Sequence, residues 1–86
     1  MTQAIQIVFV TVPSRSGAET IARLLVEEGL AACVSILPGV TSVYRWQGRI
    51  ETGDEYLLLA KTEAPMFDRL QARVLAVHEA ELPEIV

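Results

Sequence analysis

The sequence predicts an α+β fold, an antiparallel sheet carrying two helices on one face and running out into one long hairpin. Three observations predict it. Two β-rich runs, 31–46 and 49–62, flank the two-residue turn signal Gln47-Gly48. Both are dominated by Tyr, Trp, Val, Ile, Thr and Leu, residues that suit a pleated, half-buried surface. Helical spacing of apolar residues occurs twice, once before this hairpin and once after it, so the order reads strand, helix, strand, strand, helix, strand.

Each element has a local reason. Ile5–Val12 is an unbroken apolar run in which Ile5, Ile7 and Phe9 take one face and Val8, Val10 and Val12 the other. Pro13-Ser14 ends it. Ser16 with Glu19 three residues on resembles a capping box, opening a helix that reaches Glu28. Ala18, Ile21, Ala22 and Leu25 form its apolar stripe, and Gly29 is placed to close it in the left-handed region. Pro38-Gly39 and Gly53-Asp54 interrupt the hairpin arms and read as bulges or kinks. Pro65 suits the first turn of a second helix, whose apolar face is Phe67, Leu70, Val74 and Val77. Residues 83–86 resemble the opening of a further strand. This order is the split βαβ, ferredoxin-like plan, with residues 1–86 as one domain.

Size and polarity then argue for self-association. A 14-residue arm at about 3.3 Å per residue spans roughly 46 Å, whereas a compact chain of this length is only roughly 30 Å across. The hairpin tip, with Val43, Tyr44 and Trp46, should therefore overhang its own domain. The first and third strands are apolar on both faces, and two helices shield only one side of a sheet. The other side needs cover, most simply from further copies of the same chain.

Composition excludes several classes of function. Seven basic against eleven acidic residues give a net charge of −4. That leaves no basic stripe for phosphates, so nucleic acid is not an expected partner. No apolar run approaches the ~20 residues of a spanning helix, so no membrane insertion is expected. The N-terminus lacks a secretion signal, and the single cysteine, Cys33, cannot form an intrachain disulfide. Both point to a cytoplasmic protein.

The run Val8-Phe9-Val10-Thr11-Val12-Pro13-Ser14 resembles a known family, as do Leu25-Val26-Glu27-Glu28 and Leu30-Ala31-Ala32-Cys33-Val34. So do the hairpin-tip run from Pro38-Gly39-Val40 to Tyr44-Arg45-Trp46-Gln47-Gly48, then Ile50-Glu51, Lys61-Thr62, His78 and Glu81-Leu82-Pro83-Glu84-Ile85. In order and spacing the chain is similar to the CutA family of divalent-cation tolerance proteins. The resemblance implies a homotrimer with hairpins packed across neighbours, a link to copper and other divalent cations, a cytoplasmic setting, and architecture shared with the PII signalling proteins. In two places the chain departs from the family pattern. Glu79 and Ala80 stand where the family has Pro and Tyr after the histidine, and family chains continue past the position of Val86. The natural chain is therefore expected to extend further.

Candidate ligands for a divalent metal ion, copper in particular, are Cys33, His78 and Glu81. Thiolate and imidazole are the ligands such ions take at neutral pH, and Glu79, Glu81 and Glu84 cluster beside His78. No short metal motif is present, so a strong site needs ligands from several subunits. The ordinary roles are a small buried hydrophobe for Cys33 and a histidine stabilised by a helix C-terminus for His78. Counting outward from the turn, Cys33 falls opposite Lys61 or Thr62, where an ammonium could lower the thiol pKa. Tyr44, Trp46, Glu55, Lys61 and Glu84 are the residues expected to line an inter-subunit cleft. Aromatics at a hairpin tip more usually bury themselves against a neighbour. With one His, one Cys and no triad, catalysis is not expected. Three roles remain: a metal-response trimer, a signalling trimer binding a small anionic effector in the cleft, or a structural trimer organising a partner protein.

Overall fold

The computed structural model describes residues 4–78 and 85–86. Its elements are β1 (Ile5–Val12), α1 (Arg15–Glu27), β2 (Cys33–Trp46), β3 (Arg49–Glu63), a 3-10 turn (Ala64–Met66) and α2 (Phe67–Val77). The sheet order is β1-β3-β2, antiparallel throughout. Ile85 bridges Val10 on the outer edge of β1, where the fourth strand of the split βαβ plan belongs. This is the α+β, ferredoxin-like arrangement that the order of elements predicts.

The helix stripe is buried as spaced: Ala18, Ile21, Ala22 and Leu25 of α1 lie in the core. With Leu70 and Val74 of α2 they cover Val8, Val10, Val12, Leu58 and Ala60 of the sheet. Gly29 closes α1 at φ +72°. Its N–H donates to the Val26 carbonyl at 3.1 Å and that of Leu30 to Leu25 at 2.9 Å, the paired bonds of a Schellman cap.

The expected capping box is corrected. Ser14, not Ser16, is the N-cap: its Oγ accepts from the Gly17 N–H at 3.0 Å. Pro13 ends β1 one turn earlier than the Ser16 reading supposes, so Arg15 is already helical and Glu19 pairs with it at 3.1 Å. Ser14→Ala should cost about 1 kcal/mol in chemical denaturation, while Ser16→Ala should leave stability near that of the parent.

The hairpin turns through Gln47 and Gly48 at φ 50° and 78°, the positive pair of a type I′ turn. Opposed residues sum to 95 as far as Val40 and Glu55, then to 94 from Leu37 and Leu57 inward. The extra residue is the bulge at Pro38-Gly39, as expected. It exchanges the faces that odd and even positions of β2 occupy. Gly53-Asp54 is not a bulge: Gly53 pairs in register with Ser42, and Asp54 with Thr41. The Tyr44 ring lies within van der Waals reach of the space a Cβ on Gly53 would take, and so covers the bare backbone there.

The principal extents are 48 × 23 × 21 Å, so the hairpin does project beyond the helix-covered body. Both helices lie on the Val8–Val10–Val12 side. The opposite face exposes Ile5 at 68 %, Ile7 at 51 % and Phe9 at 44 %.

Candidate functional site

Chemistry-bearing side chains gather on the face the helices leave open. Cys33, Lys61 and Ile7 form one row across the three strands. The row stands where it does because the end of α1 is tied tightly to β3. Thr62 Oγ1 donates to the Leu30 carbonyl at 2.6 Å in a buried bond, and the Ala32 N–H donates to the Lys61 carbonyl at 2.8 Å. Cys33 is exposed rather than buried, because alternation turns it outward while Val34 faces the core. Its ordinary role as a buried hydrophobe is therefore ruled out within the protomer.

The same face carries the expected cleft residues. Glu55 lies opposite Val40, Tyr44 opposite Glu51, and Trp46 opposite Arg49 beside the turn. Glu55 and Lys61 share a parity on β3, as do the partners of Tyr44 and Trp46, so all four side chains belong to one face. They are strung out along it. Six residues of rise separate Glu55 from Lys61, roughly 20 Å, and Trp46 lies further still. Within one protomer they make a stripe, not a pocket.

His78 is the first residue after α2, and its N–H still donates to the Val74 carbonyl at 2.8 Å. The ring turns to β1, with Nε2 2.6 Å from the Thr11 carbonyl. Thr11 pairs with Leu57, whereas Cys33 pairs with Lys61. The two sites are thus four residues apart along the strands, roughly 13 Å, and on opposite edges of the sheet. Cys33 and His78 do not share an ion within one protomer. Among the described residues no group of three or more His, Cys, Asp or Glu side chains is disposed to hold a metal. Glu81 and Glu84 lie outside the described residues.

A groove of about 310 Å³ opens beside this row, lined by Ile5, Gly29, Ala31, Lys61, Thr62 and Met66. It lies at the C-terminal end of α1, where the helix dipole disfavours anions. Elsewhere, the Arg73 guanidinium grips both carboxylate oxygens of Glu28 at 3.0 and 3.1 Å. These hydrogen bonds, and then the charge of Glu28, raise the Arg73 pKa. The pair tethers α2 to α1 on an exposed surface, where such bridges contribute little. Thr62 and the Thr11 carbonyl were invisible to sequence reasoning, since a strand threonine and a backbone oxygen carry no motif.

Fold and open face together define a small α+β protein built to be covered by something else. The family model described as CutA1 divalent ion tolerance protein matches residues 6–86. The chain belongs to this family. It is 54% identical over 81 residues to the divalent-cation tolerance protein CutA of Thermus thermophilus, covering 94% of this chain and 79% of that one. It is 42% identical to the chloroplastic CutA of Arabidopsis thaliana, covering 93% of this chain and only 44% of the relative. Among solved structures, the Thermus protein superposes with a TM-score of 0.93 at 53% identity, over 96% of this chain and 81% of that chain. A periplasmic divalent cation tolerance protein CutA from Archaeoglobus fulgidus gives 0.93 at 36%, over 96% and 80%. The PII-like protein CutA of Nostoc gives 0.85 at 40%, over 93% and 75%.

These names overturn the expectation of a cytoplasmic setting. Relatives of the same fold are described as chloroplastic and periplasmic. One unpaired cysteine and a polar N-terminus therefore do not decide the compartment. No helix among the described residues is long and apolar enough to cross a membrane.

Proposed function

We propose that the chain is a protomer of a homotrimer that serves in the response to divalent cations, copper among them, as a binding protein rather than an enzyme. The observation carrying this is the open sheet face, where Ile5, Ile7 and Phe9 lie beside the exposed Cys33 and Lys61. Apolar side chains of this size on contiguous rungs mark a surface that is covered in the working protein. Trimerisation would bring candidate ligands of different protomers together, which one protomer does not do for Cys33 and His78. In this reading Cys33 supplies a thiolate suited to copper in its reduced state, and Glu81 a carboxylate.

A second reading is favoured by Lys61, which makes no ion pair among the described residues. Here the trimer is a PII-like signalling protein, and a cleft lined by Tyr44, Trp46, Glu55, Lys61 and Glu84 takes a small anionic effector. A structural trimer that organises a partner protein is the third.

Titrating copper into the protein and into Cys33→Ala tests the first. A loss of affinity of tenfold or more in the variant is expected, and equal affinity would remove Cys33 as a ligand. A thermal-shift panel of carboxylates and nucleotides run on the same samples tests the second. Stabilisation by mass action that disappears in Lys61→Ala would transfer the argument to the effector.

A further inference from the structure

We propose that the His78 ring is a clasp that pins the chain leaving α2 to the outer edge of β1, and so positions the carboxylates that follow rather than serving as a ligand. The positioning of those carboxylates rests on the cation reading above; the clasp itself does not.

Alternation along β1 carries the argument. The Phe9 N–H and carbonyl face the outer edge, since the N–H donates to the Val86 carbonyl and the carbonyl accepts from the Val86 N–H at 3.0 Å. Two residues on, the Thr11 carbonyl faces the same edge. It is the next acceptor beyond the Phe9 and Val86 pair, and the half-buried His78 ring occupies it at 2.6 Å. A carbonyl only accepts, so Nε2 must carry the proton. A protonated ring nitrogen has no lone pair to give to a metal.

Both ends of residues 79–84 are thereby fixed on adjacent positions of one strand. His78 is held at Thr11, and Ile85 bridges Val10. Between the two pins the sequence places Glu79, Glu81 and Glu84. An edge pairing with this few rungs is open to slippage, and a slip of one residue would turn Ile85 out of the core. A side-chain bond to the backbone at the far end removes that freedom.

Two variants separate a clasp from a ligand. His78→Gln keeps an N–H donor able to reach Thr11 but is not a transition-metal ligand; His78→Ala keeps neither. Amide hydrogen exchange in the metal-free protein is read first. In His78→Ala, exchange of the Phe9 and Val86 amides should accelerate about tenfold, the loss of one net hydrogen bond. The Val8 and Val10 amides, which face β3, should hold, and His78→Gln should restore the edge. Unchanged exchange at Phe9 and Val86 in the folded alanine variant would overturn the clasp. Zn²⁺ titration is read second. His78→Gln should bind as the parent does while His78→Ala binds tenfold or more weakly. Glutamine as weak as alanine, with the edge still protected, would make the ring a ligand and overturn the positioning role. A parent that takes up no Zn²⁺ would remove the cation reading and the positioning of carboxylates with it, and the exchange data would still decide the clasp.

Discussion

A Phe9→Glu variant is expected to sediment as a folded single chain where the parent sediments as a larger species. Phe9 lies in the middle of the open face, in one row with Leu59 and Ser35. In the isolated protomer it is 44% exposed, so a glutamate there can remain hydrated, and surface changes of this kind shift stability by about 0.5 kcal/mol or less. Once the face is covered, the same carboxylate must be desolvated without a partner. That costs several kcal/mol per ion, enough to weaken association by roughly a thousandfold or more. The contrast isolates assembly from folding. Circular dichroism should remain that of the parent while the sedimentation mass falls. A variant retaining the parent's mass would mean that Phe9 is not at the contact.

Leu58→Ala is expected to destabilise the fold itself by about 2–5 kcal/mol. Leu58 is fully buried in the central strand, between Val10 and Ile36 in its row and beneath the two helices. Neighbours anchored on three strands cannot collapse into the space left by an isobutyl group, so the cavity cost adds to the lost transfer energy. A domain of this length holds only about 4–13 kcal/mol in total, so the variant should lose much of its urea midpoint. Leu57→Ala is the control on the other face. It should leave the dissociated protein's midpoint near that of the parent and lower only the stability of the assembled form. Equal losses at both positions would mean that the faces are not distinguished as described.

Much of this was legible in the residues because helix stripe, turn chemistry and strand alternation agreed with one another. The stripe through Ala18, Ile21, Ala22 and Leu25, the left-handed Gly29, the turn at Gln47-Gly48 and the bulge at Pro38-Gly39 all stand where local chemistry puts them. The failures came where two local solutions compete. Ser14 and Ser16 both offer a cap, and only the point at which β1 releases the chain chooses between them. Gly53-Asp54 looks like an interruption, yet the Tyr44 ring across the sheet lets the strand run straight through.

The candidate site was less legible than the fold. Register counting placed Cys33 at Lys61 correctly, since hairpin pairing follows from the turn and one bulge. The outward thiol did not follow from composition, because a cysteine beside Ala32 and Val34 looks like core until its parity on the strand is known. His78 posed the opposite difficulty. Its neighbours in sequence are carboxylates, which suggest a metal, but its ring reaches 67 residues back to a backbone oxygen of Thr11. No short-range pattern encodes such a contact.

Sedimentation equilibrium of the unmodified protein at micromolar concentration is the most direct measurement. The account predicts three times the 9.4 kDa protomer mass, with no folded single chain in the distribution. A stable, well-folded 9.4 kDa species would show that water alone can cover Ile5, Ile7 and Phe9, and would contradict it.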